Sequence, residues 1–480
     1  MDSRRFAQVA VFIVVMSCLA TLAGSAATNG EDKIAARVLA DTGNGASTEA
    51  LVVLSQQADL SPADRLHTKL EKGRFVVNAL REVASRTQAP LISYLRQRGV
   101  PYQSFFIVNM IKVTGNLALM RDLAARSDVT RIDANPHVRT ALPNPSGVSA
   151  DAGTGIEWNI TRVQAPKVWA LGFHGEGRVV AGADTGVQWD HPALKNQYRG
   201  WDGSKVDHDY NWHDAIQGSP SPIDPFGHGT FTVSEMVGDD GQGNQVGVAP
   251  KAQWIACRNM DQNGTGSPAS YTECFEFLIA PYPIGGGQGN PALAPDSINN
   301  SWICPDSEGC SVNTLKAVVK AVRAAGIFPA MAAGNSGSNC STIDTPPATY
   351  GASVTVGATD YNNSIASFSS RGPVTADNSN RLKPNLSAPG DNIRGAVPGN
   401  GYESGWSGTS MAAPHVAGGV ALLWEAKPSL VGDITTSEKL FTKKAIHLKS
   451  SQNCGGSGQN IPNNIFGWGL LQLYKSVKAQ

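Results

Sequence analysis

Residues 297–333 read SINNSWICPDSEGCSVNTLKAVVKAVRAAGIFPAMAA. Two short runs, Ser297–Trp302 and Ile327–Ala333, flank a segment in which Leu315, Val318, Val319 and Val322 share one helical face. Gly326 follows that segment as a helix stop. Strand, helix, strand in that order predicts two parallel strands joined by a crossover, because a parallel pair cannot be closed by a tight turn. Arg178–Ala183, Gln253–Cys257 and Ser353–Gly357 read as further short buried strands. Over residues 157–480 we therefore expect an α/β domain, a mostly parallel twisted sheet with helices on both faces. Ligands of such sheets collect at the carboxyl ends of the strands.

Upstream the pattern changes. Glu49–Leu54 is strand-like, Phe75–Arg98 is helical with Leu80, Val83, Leu91 and Leu95 on its apolar side, and Pro90 is expected to kink or split that helix. Ser104–Val113 is β-rich, Leu117, Met120 and Leu123 fall at helical spacing, and Val129–Asp133 reads as a last strand. This order predicts a small α/β sandwich of the ferredoxin-like kind over 49–140. Residues 27–48 are polar and small and read as a linker. Residues 141–156, ALPNPSGVSADAGTGI, are the clearest domain boundary and a plausible site of proteolytic nicking. At the start, Arg4 and Arg5 precede an apolar run from Val9 to Ala23, and Gly24-Ser25-Ala26 supplies the small residues of a signal-peptidase site. Residues 1–26 are thus expected to be a signal peptide, and the protein to be secreted and extracellular.

Composition narrows the function classes. The 480 residues carry 39 Lys+Arg against 39 Asp+Glu, so the formal net charge is zero. That balance argues against a nucleic-acid binder or a polybasic membrane binder. No later segment holds 18 consecutive apolar residues, so no membrane association is expected after signal removal. The 51 glycines and 41% hydrophobic residues describe a turn-rich globular protein. Cys18 would leave with the signal, and the six remaining cysteines suggest three disulfides, with fifteen possible connectivities. Only Cys304–Cys310 is close enough in sequence to pair by inspection. No CxxC or HxxxH spacing supports a zinc site.

Three short motifs carry the chemistry. VAGADTG at 180–186 places Asp184 at the end of a strand, FGHGT at 226–230 places His228 between two glycines, and GTSMAAPH at 408–415 places Ser410 at the start of a helix. A serine hydroxyl is a poor nucleophile at neutral pH. It needs an imidazole to take its proton, and the imidazole needs a buried carboxylate to fix its tautomer and stabilise its cation. Thr409 is a natural N-cap, which sets Ser410 at the positive end of a helix dipole. DTG alone reads as a turn and GHG alone as a structural histidine. GTSMAAPH is hard to explain as packing, and the order Asp, His, Ser matches a triad known on an α/β scaffold. An esterase of the α/β-hydrolase type would need G-x-S-x-G and the order Ser, Asp, His, and neither occurs.

HGT, GTSMAAPHVAG and the DTG strand, with GVAPKA at 247–252, INNSW at 298–302, AAGN at 332–335, SSRGP at 369–373 and KPNLSAPG at 383–390, resemble the secreted subtilases, subtilisin-like serine endopeptidases, and among them the bacillopeptidase F type. The resemblance runs through 157–480, and 49–140 resembles the family's inhibitory propeptide. It implies a catalytic set of Asp184, His228 and Ser410, with Asn335 donating to the oxyanion. It implies that Ser301 and Trp302 pair with the bound peptide as an extended strand, and that Ala332, Ala333 and Gly334 form the other wall of the specificity pocket. Protein or peptide substrates, a propeptide acting as intramolecular inhibitor, a monomer and no required cofactor follow from it. Family members often bind calcium, but Ala193 follows His191-Pro192 where a carboxylate is usual, so no metal ligands are assigned.

The chain departs from the family beside the site. Phe231-Thr232-Val233-Ser234-Glu235 follows HGT where the family usually continues His-Val-Ala-Gly, so that the usual Gly is Ser234 and a charge arrives at Glu235, and Ile303 follows Ser301-Trp302 where the family prefers Gly. A buried unpaired carboxylate at Glu235 would be costly. These positions leave an alternative open: a catalytically impaired subtilase-like protein that binds peptides or a protein partner.

Overall fold

In the computed structural model, which describes residues 30–139, 142 and 155–479, strand β1 (Thr48–Leu54) is buried at five consecutive positions. Both of its faces are covered. Ala50, Val52 and Leu54 join a core with Leu91, Leu95, Met120 and Ile132, while Leu51 and Val53 join a second cluster shared with the larger domain. The sequence ALVVL therefore shows no polar alternation, as expected for a strand buried on both sides.

Ahead of β1, helix α1 (Ala36–Asp41) corrects the expectation of a linker over 27–48. Ile34 and Val38, four residues apart, pack into the small domain's core with Ala35 and Leu39 partly buried against it, and a helix of six residues is too short to show a helical period. Helix α2 (Lys69–Gln97) runs as one element through Pro90, against the expected split. Pro90 and Arg86 both face solvent, so the carbonyl that loses its helical N–H partner can be hydrated. Ser104–Val113, expected as one run, is two strands, β2 (Tyr102–Phe105) and β3 (Met110–Gly115), joined by a turn. Helix α3 (Leu117–Ala124) and strand β4 (Val129–Ala134) complete the unit. From β1 onward the order is β-α-β-β-α-β, and the sheet is antiparallel in the order β2-β3-β1-β4.

The large domain contains β5 (Val179–Asp184), β6 (Trp212–Asp214), α4 (His228–Val237), β7 (Gln253–Arg258), α5 (Pro268–Ile279), β8 (Ser297–Asn300), α6 (Lys316–Ala324), β9 (Phe328–Ala332), β10 (Val354–Thr359), β11 (Leu386–Pro389) and α7 (Thr409–Ala426). Seven strands form one sheet in the order β11-β10-β9-β8-β5-β7-β6, and every neighbouring pair is parallel. Side chains alternate between its faces: Val180 of β5 packs with residues of α4 and α7, whereas Ala181 and Ala183 pack with residues of α5 and α6. The chain adds β6 and β7 on one side of β5 and then crosses to add β8 to β11 on the other. The carboxyl end of β5 is thus the topological switch point, where a ligand crevice is expected.

The two domains share a packed interface. Leu51, Val53, Phe105, Ile107 and Met110 meet Phe275, Leu278, Val318 and Val322 in one cluster. Lys69 forms an ion pair with Asp296 at 2.7 Å, and the Glu276 carboxylate accepts the backbone N–H groups of Phe106 and Ile107 at 2.5 and 2.9 Å. Residues Val138–Arg139 form a short antiparallel ladder with Thr265–Gly266. Three disulfides resolve the open connectivity: Cys257–Cys274, Cys304–Cys310 and Cys340–Cys454. The expected signal segment 1–26 lies outside the described residues. So does the 141–156 boundary, apart from Leu142, Gly155 and Ile156. Among the described residues, no helix is long and apolar enough to cross a membrane.

Candidate active site

Asp184 is the last residue of β5 and His228 the first of α4, and both are buried. His228 Nδ1 lies 2.8 Å from Asp184 Oδ1, which also accepts the Thr185 N–H at 2.7 Å. A carboxylate can only accept, so the imidazole proton sits on Nδ1 and Nε2 is left as the basic nitrogen. That Nε2 is buried and has no hydrogen-bond partner among the described residues. The close approach of α4 to β5 requires Gly229, since a Cβ there would lie 2.0 Å from the Gly186 carbonyl oxygen.

Asp224 builds this corner. It accepts from Gly227 N, Thr230 N and Thr230 Oγ1 at 2.7 Å each, and from Thr185 Oγ1 at 2.8 Å. Thr185 Oγ1 in turn accepts the Gly229 N–H at 2.9 Å. One carboxylate therefore satisfies the orphan donors at the start of α4 and ties them to the end of β5. Asp224 was not among the residues the sequence singled out. The available signal was an acid four residues ahead of the histidine, at a helix start.

Ser410 is buried in the first turn of α7. Its hydroxyl donates to the Ser301 carbonyl oxygen at 2.8 Å, and the Ser301 hydroxyl donates back to the Ser410 carbonyl oxygen at 2.7 Å. Trp406, four residues ahead of Ser410, brings its ring to 6.0 Å from that of His228 and stacks on Phe231 at 4.5 Å. The start of α7 and the start of α4 thus share one wall.

Asn335 is exposed at the rim. Its Oδ1 accepts both the Thr409 N–H at 2.8 Å and the Thr409 hydroxyl at 2.9 Å. A backbone N–H can only donate, so the atom facing it is the oxygen, and the amide NH2 points the other way. Thr409 Oγ1 also accepts the Gly334 N–H at 3.0 Å. Gly408, not Thr409, is the N-cap of α7, which corrects the expected Thr409 cap; as the first helical residue Thr409 instead orients both the Asn335 amide and the strip after β9.

The remaining expected residues divide. Ser301, Ala332, Ala333 and Gly334 lie at the carboxyl ends of β8 and β9, beside Ser410. The Trp302 side chain does not line a cleft: it is buried, donates to the Ala183 carbonyl oxygen at 2.7 Å and stacks on Tyr271 at 4.0 Å. Its ring thus belongs to the core, and the strand pairing expected of Trp302 concerns its backbone. The histidine that ends GTSMAAPH is structural. His415 donates from Nδ1 to Met411 O and accepts from Asn159 at Nε2, both at 2.8 Å, and burial pushes its pKa down to about 4.

The unusual residues after HGT are accommodated unequally. Phe231 fills a cluster with Ile393, Trp406 and Met411, and the Ser234 hydroxyl accepts the Ala396 N–H at 2.9 Å. Glu235 is fully buried, neither carboxylate oxygen has a hydrogen-bond partner, and burial holds its pKa well above the ordinary carboxylate range. Among the described residues, no group of three or more His, Cys, Asp or Glu could hold a metal ion.

Comparison with known proteins supplies the family. The profile of the subtilase family matches residues 175–469. Bacillopeptidase F of Bacillus subtilis (strain 168) is 37% identical over 454 residues, covering 90% of this chain, which spans 30% of that relative's length. Subtilisin Savinase of Lederbergia lenta is 31% identical over 323 residues, covering 67% of this chain and 99% of the relative. With that match, and with the acid, imidazole and serine hydroxyl held at one rim of a parallel sheet, the chain belongs to the subtilase family of subtilisin-like serine endopeptidases.

Proposed function

We propose that the protein is a secreted serine endopeptidase made as a self-inhibited precursor, with Ser410 as nucleophile. His228 acts as general base through Nε2 and then as general acid toward the leaving amine. Asp184 orients the ring and stabilises the imidazolium. Asn335 and the Ser410 N–H donate to the oxyanion of the tetrahedral intermediate, which collapses to an acyl-enzyme that water hydrolyses. The observation that carries this reading is the 2.8 Å contact between Asp184 Oδ1 and His228 Nδ1, which leaves a buried, unpartnered Nε2. An imidazole kept only for structure would use both nitrogens, as His415 does.

The ladder of Val138–Arg139 on Thr265–Gly266 supports the precursor. It lets the chain leaving the small domain lie as an added strand on the large one, the way an extended peptide substrate would. The small domain then acts as inhibitor until the 141–156 segment is cut. The test is peptide hydrolysis and fluorophosphonate labelling of the wild type beside Ser410→Ala, with N-terminal sequencing of the mature chain. Hydrolysis, labelling and a new N-terminus within 141–156, all lost in Ser410→Ala, support the reading. Equal activity in the two proteins rejects it.

A catalytically impaired peptide binder is the second reading. The Ser410 hydroxyl bonded to Ser301, and the orphaned carboxyl of Glu235 on the same helix as His228, favour it. It requires a folded precursor that stays full length and takes no label.

A further inference from the structure

We propose that Ile303 restricts the substrate side chain on the acyl side of the cleaved bond to Gly, Ala or Ser. This rests on Ser410 being the nucleophile. Strands β8 and β9 are parallel neighbours with Asn300 opposite Met331. Continuing that register past the sheet sets Ser301, Trp302 and Ile303 against Ala332, Ala333 and Gly334. The side chains agree, since Ile303 Cγ2 lies 3.8 Å from where a Cβ on Gly334 would stand. Both strips are tied to the nucleophile. Ser301 O accepts the Ser410 hydroxyl at 2.8 Å, and Gly334 N donates to Thr409 Oγ1 at 3.0 Å. The two strips therefore flank Ser410, and an acyl group carried on its Oγ would set its side chain in the gap between them.

One wall of the gap is bare, since Gly334 has no side chain and its φ of +97° disfavours one. The other wall carries the branched side chain of Ile303, which is only partly exposed. The backbone that carries Ile303 is pinned on both sides. Cys304, the next residue, donates its N–H to Pro346 O at 2.7 Å and is held to Cys310 by a disulfide, while the preceding Trp302 is buried and hydrogen-bonded. Four side-chain carbons thus occupy space that a glycine would leave to the substrate. A fixed hydrophobic obstruction excludes larger side chains by overlap.

The experiment uses tetrapeptide p-nitroanilides that differ only in the last residue, Gly, Ala, Ser, Leu or Phe, with the processed wild type, Ile303→Val and Ile303→Gly. Circular dichroism and thermal unfolding report whether each variant is folded. We expect kcat/KM of the wild type to favour Ala over Phe by about 10–100-fold, the scale of a steric difference of a few methylenes. Ile303→Gly should raise the Phe-to-Ala ratio at least about tenfold, with Ile303→Val in between. A wild type that prefers Leu or Phe overturns the proposal. So does a folded Ile303→Gly with an unchanged ratio. If the wild type cleaves none of them, the catalytic reading fails separately, and titration of tetrapeptide acids into Ser410→Ala decides the inference. Tighter binding of the Ala-terminated acid supports it, and equal or weaker binding than the Phe-terminated acid rejects it.

Discussion

The Ser410 hydroxyl donates to the Ser301 carbonyl oxygen and not to His228 Nε2, although both residues stand at the same rim. Rotation about the Ser410 Cα–Cβ bond, between staggered wells, re-aims the hydroxyl. Hydrogen bonds between nucleophile and base often tighten only when substrate is bound. A peptide pairing with the strip after β8 would compete for Ser301, freeing the hydroxyl. Ser410→Ala should therefore lower kcat by roughly 10⁶, a scale known from subtilisin itself, and abolish fluorophosphonate labelling. Retention of either would remove Ser410 from the mechanism.

Asn335 offers a separation of two roles. Its oxygen satisfies Thr409 at the start of α7, and its NH2 is free to donate toward an oxyanion. Asn335→Ala loses both, so it should cost roughly 10²–10³ in kcat, again a figure from subtilisin, and about 1–3 kcal/mol of stability for the uncapped Thr409 N–H. Asn335→Asp keeps an oxygen for Thr409 and loses the donor. It should show the rate loss with most of the stability retained. Kinetics and thermal unfolding on the two variants check this, and equal rates for Asp and Asn would mean that the amide does not serve the reaction.

The fold of the large domain was legible because its strands and helices alternate and its helices carry clear apolar faces, as Val318, Val319 and Val322 do on α6. Asp184, His228 and Ser410 were legible because each motif pairs a reactive side chain with the small residues that let backbones approach. What escaped was carried by other signals. The Ser301 carbonyl is a backbone atom and has no sequence signature. Asp224 ties the start of α4 to the end of β5, and Thr409, expected only as a cap, bonds to Asn335 and Gly334; any Asp or Thr can make such contacts, so the residue type alone does not announce them. Trp302 sits in a segment whose backbone faces the site while its ring belongs to the core, and spacing does not say which face prevails. In the small domain Pro90 does not split α2, because its cost depends on whether the freed carbonyl reaches water, and α1 was missed because six residues are too few to show a helical period.

Glu235 was legible as a cost, and its burial makes the cost measurable. Its carboxyl is held well above the ordinary 4.5 by burial alone. A carboxyl raised in the folded state contributes no penalty below the unfolded value and destabilises progressively as pH rises toward the folded value. Thermal stability of the wild type should thus fall on raising pH from about 4.5. Glu235→Met, which removes the orphaned oxygens, should gain about 1–3 kcal/mol near pH 7 and less near pH 4.5. Thermal unfolding across that range tests it, and a gain independent of pH would mean that packing, not ionisation, is responsible.

The interface between the two domains holds a second carboxyl with a signed pH dependence. Glu276 accepts the N–H groups of Phe106 and Ile107, and burial pushes its pKa from 4.5 up to about 7, with Glu273 adding to the rise and the two N–H groups and Arg81 opposing it. Around it, Glu273 accepts from Gln103 and contacts His213, each at 2.7 Å. These groups rim a cavity of about 650 Å³ between the domains, which keeps Glu276 partly open. When the small domain lifts off, Glu276 regains water and its ordinary pKa. The docked state then holds its proton more tightly, so docking is strongest below pH 4.5 and weakens as pH rises through 7. The partial opening reduces the effect, and we expect about a tenfold loss rather than the full span of the shift. In the Ser410→Ala precursor, hydrogen-exchange protection of the Phe106 and Ile107 amides, corrected for intrinsic rates, should fall by about that factor between pH 5 and 8. Glu276→Gln keeps an acceptor but cannot ionise, and its profile should be flat. A wild-type profile that is flat or rises with pH would show that Glu276 does not govern docking.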